Sequence, residues 1–573
     1  MFRKKDPQLS LFEAYHYLPE AKKRRLESSW PHVFRTEVMP MIPEEEFKHL
    51  YCEDNGRPNE PVSILVALSV IKEMDDLTDE QLLDSYYFDA RYQYALSVTP
   101  EEAYLAPRTL YYFRERVVDD RAVQKVFDAT TDKIIEILSL RLGKQRLDST
   151  HIRSNMANLS RLQLFVRTIE TFLKRLKATY PEKAEILPEE IHKRYLEREG
   201  YFADSKSSEA RRRLNDCARD LLYLTDIFSD DEGVKDLHSY KHLKRLFNEQ
   251  CEVVRESGSE GEGNKVILKK EVSSISLQNP SDPDATYGHK GKGYKVQISE
   301  TCDKENEVQV ITHVEVQGAH ESDQNSSTPI IEDLEDKGRK PDTLYEDAGY
   351  GSGENIIEAK ERGVKLMTPI EAGAKPKEGN LTLTDFAITE DGTQVIQCPE
   401  GKMPFRHRKG KDPHRTNALF KKEVCNTCKG LSRCPVSQHK RHNKLSFTRK
   451  DLVVARRRVE QETMEFKEEY KIRSGIEATN SELKRKHAMD KVWTRGKERV
   501  TFAVFMKVTA CNIKRFMRQR VKFLPKPQPG VTIGVKEGLL GYAARQMSEC
   551  LTYLWQYLFN LMVYLPNLSK SMA

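Results

Sequence analysis

Residues 470–484 read YKIRSGIEATNSELK, and the reading of this stretch governs the rest of the chain. Tyr470, Arg473, Glu477 and Lys484 stand at offsets of 0, 3, 7 and 14. At about 3.6 residues per turn, those offsets place all four side chains on one helix face. An acid, two bases and an aromatic ring make a poor core stripe. They make a suitable face for holding a metal ion beside a phosphate backbone. The pattern predicts one long helix over about 456–486 that carries the stripe. It predicts a second helix, amphipathic and basic, over about 497–520.

Upstream of this stretch the hydrophobic period changes from helical to alternating. LDSTHIR (147–153) reads as a short strand with Asp148 in it. YKVQISET (294–301) and VQVITHVEVQ (308–317) alternate well and read as paired strands. TLYEDAGY (343–350) is a strand running into a turn, with Asp347 at its C-terminal end. STPIIEDLEDKG (327–338) and ENIIEAKERG (354–363) read as helices, and VKLMTPI (364–370) as a further strand. Such a strand–helix–strand series is that of an α/β core. Two aspartates at strand ends and a glutamate on a late helix can converge at one sheet edge. An all-oxygen cluster suits Mg²⁺ or Mn²⁺. Two such ions about 3.5–4 Å apart can activate a nucleophile and stabilise the leaving oxygen of a phosphodiester.

The flanking regions differ from this core. Residues 1–125 read as helical, with a capping box at Thr78 and Gln81. A later helix there begins near Thr109 and carries Tyr111, Tyr112 and Arg114. This region fits either a helix-turn-helix-like DNA reader or a plain helical bundle. Residues 155–257 are helical and highly charged, and SGSEGEGN (257–264) reads as the linker that closes them. Residues 371–455 are rich in turns, basic residues and cysteine. The tail, 521–573, opens with Pro525, Pro527 and Pro529 as a linker. No internal repeat is visible.

The chain has 573 residues, enough for several packed units, and is 38% hydrophobic and 32% charged. Its net charge of +6 is modest, so basic character is local. Lys484 to Arg520 holds twelve Lys and Arg against two acids, and RHRKGKDPHR (406–415) is a second basic block. Both suit a polyanion, with a solvated helix face as the competing reading. The start of the chain has no apolar h-region. LTYLWQYLFNLMVYLP (551–566) is shorter than the roughly 20 residues of a bilayer span and reads as a docking helix. The scattered cysteines point to a reduced, cytoplasmic protein without a membrane partner.

Taken together, these segments resemble the bacterial insertion-sequence transposases of the DDE type, which have an RNase H-like catalytic core. Tyr470-x2-Arg473-x3-Glu477-x6-Lys484 matches the Tyr-Arg-Glu-Lys signature of one branch without a gap. LDSTHIRSN (147–155) resembles that family's first-Asp segment and YEDAGYGS (345–352) its second. SDPDATYGHKGKGYKVQISE (281–300), WTRGKERV (493–500) and GRPNEPVSILVALSVI (56–71) resemble its strand pair, its downstream basic motif and its N-terminal helical domain. The resemblance spans roughly residues 45–520.

It implies an RNase H-like mixed sheet flanked by helices over 141–520. This core is interrupted by a helical insertion at 155–262 and a Cys-rich insertion at 371–455. An all-α DNA-binding domain at 1–125 precedes it and a helical tail follows it. Asp148, Asp347 and Glu477 take the metal-ligand and catalytic roles, with two Mg²⁺ or Mn²⁺ ions. Tyr470, Arg473 and Lys484 contact the phosphates of the element ends, with Arg495 and Lys292 as further candidates. The implied reaction is cleavage at terminal inverted repeats, then attack of the freed 3′-hydroxyl on target DNA. A homodimer would hold two ends. The alternatives are an RNase H-like nuclease without strand transfer and a domesticated DNA-binding protein. Tyr470 invites a tyrosine-recombinase reading, which the metal-ligand Glu477 on the same helix opposes.

Cys398, Cys425, Cys428 and Cys434 form C-x26-C-x2-C-x5-C. The set fits a structural, tetrahedral Zn²⁺ site, with His439 or His442 able to replace one ligand. Buried free thiols or a redox-sensitive cluster are the competing states. His151 reads as a surface or packing residue. His313 and His320 have no evident partner. Asp282 and Asp284, beside Pro283, read as a turn in preference to metal ligands.

Overall fold

The computed structural model describes residues 2–5, 14–52, 58–120, 122–197, 207–256, 263–371, 373, 376–409, 412 and 414–525. At its centre is a mixed sheet of β1 (Lys144–Ile152), β2 (Gly291–Thr301), β3 (Ile311–Gly318), β4 (Thr343–Tyr345) and β5 (Lys365–Met367). Their order across the sheet is β3-β2-β1-β4-β5. β1, β2 and β3 pair antiparallel, whereas β1, β4 and β5 run parallel. A short strand, Thr286–Gly288, folds back on the start of β2. These strands lie where the alternating runs predict them, and the mixed sheet bears out the expected RNase H-like α/β core.

Alternation along the strands gives the sheet two different faces. Leu147, Leu344 and Leu366 pack on Ile330, Ile331, Leu334 and Ala359 from the helices Ser327–Asp336 and Gly353–Glu361. Tyr294, Val296 and Ile298 face the opposite layer. Asp148 stands opposite Ile298 in the antiparallel pair, so it shares that second face.

Five helices build the second face and the approach to Asp148. They are α1 (Val62–Asp75), α2 (Val123–Leu138), α3 (Met464–Tyr470), α4 (Ile476–Lys486) and α5 (Lys497–Val521). One hydrophobic cluster joins α1, α2, α5 and the sheet. Every residue of α5 from Ala503 to Ile513 is buried. A helix apolar all round belongs inside a protein, so α5 is a central post and not the amphipathic surface helix its charges predict. Those charges are spent on the fold. Lys507 pairs with Glu73, Lys514 with Asp75, Arg515 with Glu300 and Glu482, Arg518 with Glu482, and Arg520 with Glu37.

The N-terminal helices are present, and Thr78 and Gln81 form the expected capping box. Arg114 is locked to Asp79 by two hydrogen bonds of 2.7 and 2.9 Å, while Tyr111 and Tyr112 stand exposed. Arg339, almost fully buried, bonds Asp128 and Asp132 of α2 and the Thr312 carbonyl of β3, riveting α2 to the sheet.

Two further regions have cores of their own. The helices Arg161–Thr179, Ser207–Ile227 and His238–Gln250 pack around Phe165, Phe172, Leu221 and Leu243. They lead into a hairpin, Cys251–Glu256 with Gly263–Leu268. The sequence reading makes this region end in a linker, and the hairpin is a correction to it. Residues 257–262 of that linker lie outside the described residues.

The cysteine-rich stretch contains a four-stranded antiparallel sheet of Arg406–Lys409, Arg415–Lys421, Ser437–Gln438 and His442–Thr448. Its core is Phe386, Val395, Phe420, Leu445, Phe447 and Leu452. Basic residues on short strands hid this sheet from the hydrophobic pattern. The expected C-terminal linker and docking helix, beyond Pro525, lie outside the described residues.

Candidate active site

The predicted long helix over 456–486 is broken into pieces. The chain runs as a helix from Arg449 to Glu460, turns, restarts as α3, tightens into a 3₁₀ turn at Lys471–Gly475 and continues as α4. Thr463 caps α3, its hydroxyl accepting from the Phe466 amide at 3.2 Å. Gly475 lets the tight turn pass close over β1: a Cβ there would lie 1.8 Å from Nη1 of Arg146. Arg146 uses that space to donate to the Ile472 carbonyl at 2.9 Å.

This kinked path brings the three predicted acids around Arg473. Its Nη2 lies 3.0 Å from Oδ1 of Asp148 and 3.5 Å from Oδ2 of Asp347, and its Nη1 lies 3.5 Å from Oε1 of Glu477. The side chains of Asp148, Asp347 and Glu477 are 13%, 38% and 69% exposed, so the cluster opens outward from β1 to α4. Burial raises the Asp148 carboxyl above its usual range. The Arg473 cation opposes that shift and the neighbouring Asp347 adds to it.

Several residues that the sequence reading missed hold this geometry. Nδ2 of Asn480 donates to Oδ2 of Asp148 at 3.0 Å. Asp347 accepts from the Gly349 amide at 2.7 Å. A Cβ on Gly349 would stand 2.9 Å from Asp347 and 3.7 Å from Oδ2 of Asp323, so a fourth carboxylate borders the site. Asp323 is itself held by Lys295 and Gln297 at 2.7 and 2.9 Å. Glu300 is fully buried; it accepts from Arg146 at 2.7 Å, Thr479 at 2.7 Å and Arg515 at 3.2 Å. It therefore ties β1, β2, α4 and α5 together beneath the acids. Its signal was visible: Glu300 shares the inward parity of Tyr294, Val296 and Ile298 on β2, where an unpaired charge would be costly.

The other predicted contacts are dispersed. The Tyr470 hydroxyl donates to the Glu346 carbonyl at 2.8 Å, and burial pushes it up to about 12. It is a strut from α3 to the end of β4. Lys484 lies near His151, whose pKa is lowered by burial and then by Lys484, Lys290 and Arg153. Lys292 donates to the Leu159 carbonyl at 2.6 Å, and Arg495 to the Asn155 carbonyl. His313 does have a partner, Asp333 at 2.5 Å, and His320 bonds Thr286 at 3.1 Å. Asp282 and Asp284 lie in a turn and accept from the Gly496 and Lys497 amides, anchoring the start of α5.

Two segments of the chain match family profiles. Residues 397–517 match "Transposase DDE domain", a stretch that includes the four cysteines, Tyr470 to Lys484 and most of α5. Residues 24–116 match "Transposase domain (DUF772)", which covers the N-terminal helices through Arg116. Both matches support an insertion-sequence transposase of the DDE type. No curated protein and no solved structure matches the chain significantly. Asp148 and Asp347 lie outside both matched segments, and their place beside Glu477 rests on the fold.

DDE transposases are nucleic-acid-cleaving enzymes of DNA transposition and generally use divalent metal ions. In this transposase the donor set is of the right kind: carboxylate oxygens drawn to one cationic group, with Nε of Arg473 buried and without a partner. The acids surround the guanidinium without closing on one another. Among the described residues, the trio whose ligating atoms all lie within 4.8 Å is Glu482, His487 and Cys511. A cation there would face Arg515 and Arg518, both already paired with Glu482.

Cys398, Cys425 and Cys434 of the transposase pack against the small core beside the four-stranded sheet. Burial raises the thiols of Cys425 and Cys434, and Cys398 and Cys428 add to both shifts. The Lys402 amide donates to Sγ of Cys398 at 3.4 Å. No three of the sulfurs lie within 4.8 Å of one another. No helix among the described residues is long and apolar enough to cross a membrane.

Proposed function

We propose that this transposase cleaves DNA at the ends of its element and joins the freed ends to target DNA, with Asp148, Asp347 and Glu477 as the catalytic carboxylates. The observation that carries this reading is the convergence of all three acids on Arg473 within 3.5 Å. In the first step water attacks a phosphodiester, the P–O3′ bond breaks, and the leaving oxygen takes a proton as a 3′-hydroxyl. In the second step that hydroxyl attacks a target phosphate and displaces another 3′ oxygen. Mg²⁺ or Mn²⁺, as a pair of ions on these acids, would supply Lewis-acid activation and neutralise charge at the reacting phosphate.

The chain's own residues would divide the remaining work. Arg473 holds the carboxylates together until cations enter, then turns to the DNA phosphates. Lys484 meets the backbone further along. Tyr470 keeps α3 fixed on β4, and Asn480 aims Asp148. Arg495 and Lys292 border the same approach. This assignment places the protein in the Tyr-Arg-Glu-Lys branch, acting in the cytoplasm as a homodimer on two inverted repeats. In the cysteine module, Cys398, Cys425, Cys428 and Cys434 would hold one structural Zn²⁺. Their sulfurs would then draw closer than they stand, to match Zn–S bonds of about 2.3 Å.

The deciding experiment incubates the purified protein with Mg²⁺ or Mn²⁺ and DNA bearing the flanking inverted repeats. The wild type should cut at the repeat ends and transfer strands. Asp347→Ala and Glu477→Ala should each lose roughly 10³-fold in rate while melting like the wild type, because both side chains are exposed at the cluster's rim. Equal cleavage by the variants would end the assignment. Cutting without joining would leave a nuclease.

A further inference from the structure

Trp493 is 75% exposed. Fully burying a large apolar side chain is worth about 1.5–3 kcal/mol, so leaving this one in water is a cost the fold does not recover. The backbone around it is nevertheless fixed on both sides. Val492 is fully buried and its amide donates to the Arg153 carbonyl at 2.8 Å. The Arg153 amide donates to Asp490 at 3.0 Å and the Asn155 amide to Thr494 at 3.1 Å. Gly496 and Lys497 are held by Asp282 and Asp284 at 3.2 and 2.9 Å. A rigid loop thus presents a bare indole.

The segment that pins this loop is the continuation of β1. Arg153 lies five residues beyond Asp148, a distance of about 17 Å at roughly 3.3 Å per strand residue. Cations line that interval. Lys484, Lys290 and Arg153 surround His151 near the end of β1, and Nζ of Lys491 lies 5.8 Å from the Trp493 ring centroid. Beyond its first residue, Lys497, the cations of α5 are paired with acids. Lys484, Lys290, Lys491 and Lys497 make no ion pair among the described residues. The free positive charge therefore runs from the carboxylates to the indole.

We propose that Trp493 is a stacking platform for an unpaired nucleobase of the DNA strand engaged at the carboxylate site, with Lys484, Lys290 and Lys491 tracking its backbone. The inference rests on the reading of that site as one that acts on DNA. Every base has a π face, so an aromatic ring beside a basic track binds single strands without reading sequence. A duplex base is already stacked on both sides, so the ring favours frayed or unpaired ends over intact helix. At 3.4 Å per base step, Arg153, whose backbone pins the loop, stands about five steps from Asp148.

The test uses the full-length protein with Trp30→Phe and Trp555→Phe, which leaves Trp493 as the only indole. Its fluorescence is titrated, without divalent metal, against a single strand, a fully paired duplex and a duplex with unpaired end bases. The single strand and the unpaired ends should quench it strongly, and the intact duplex weakly. In the otherwise wild-type protein, Trp493→Ala should weaken binding of the unpaired substrates about 5- to 150-fold, from about 1–3 kcal/mol per stacked base. Trp493→Tyr should restore most of it, and melting should not change. Absence of quenching, an equal loss on intact duplex, or quenching on concentrating the protein without DNA would overturn the proposal. Quenching without metal-dependent cleavage would sink the enzymatic reading and leave this one standing; cleavage without quenching would do the reverse.

Discussion

The carboxylate site and the cysteine module are both small clusters of reactive side chains, yet they are assembled in opposite ways. The first takes Asp148 from β1, Asp347 from the end of β4 and Glu477 from α4, so its ion pairs span as many as 325 residues of chain. The second takes its strands from consecutive segments between Arg406 and Thr448, around a core of its own. The distant parts of the first are tied by a buried charge: Glu300, with Arg146, Thr479 and Arg515. The second is tied by a few aromatic rings and, in our reading, by a metal ion. A site built from distant parts inherits the stability of the whole core. A local module carries only its own.

That contrast can be broken most severely at Glu300. Glu300→Ala would strand two guanidinium groups under the carboxylate cluster, a loss of about 3–5 kcal/mol. Urea unfolding should show it, and hydrogen exchange should speed up in β1 and α5. If the strand Arg415–Lys421 lost its protection to the same extent, the two regions would not be independent.

A smaller and local effect is expected at Cys425. Cys425→Ser should remove the zinc measured in purified protein, about one ion per chain, and speed up exchange over the four-stranded sheet. β1 should exchange as before. Unchanged metal content would refute the zinc assignment.

The smallest effect is expected at Asn480. Asn480→Ala removes a hydrogen bond that favours the ionised form of Asp148 and should slow cleavage about 10-fold, the low end of the roughly 1.5–3 kcal/mol for a bond to a charged group. Burial already holds the Asp148 carboxyl above its usual range, only partly countered by Arg473. A divalent cation requires the ionised acid. Cleavage should therefore rise with pH through that raised pKa, and the acidic limb of the profile should move to higher pH in the variant. An unmoved limb would mean that Asn480 only packs.

Legibility in the sequence followed the same contrast. Strands β1 to β5, the helix ends at Gly338 and Gly363 and the capping box at Thr78 all follow from local period and turn chemistry. The three acids could be named because their contexts were distinctive. The break in the helix at 461–475 was not readable. Its second part, the tight turn at Lys471–Gly475, passes over Arg146, a contact between segments more than 300 residues apart. The basic run on α5 misled for a related reason. Lys and Arg look like surface residues until their partners, Glu73, Glu300, Glu482 and Glu37, arrive from elsewhere. Asn480 and Asp323 carried no signal, since a polar residue on a charged helix or turn is ordinary until its neighbour is known.

The position of α5 also sets a clock. It is the post on which α1, α2 and the sheet meet, and the ribosome reaches it after all of them. At about 5–20 residues per second, synthesis from β1 to the end of α5 takes on the order of tens of seconds. During that interval the nascent chain holds Asp148 and later Asp347 with neither Glu477 nor the post in place. With these three acids as the proposed catalytic set, the polypeptide would be unable to cut the DNA around it until its core is complete.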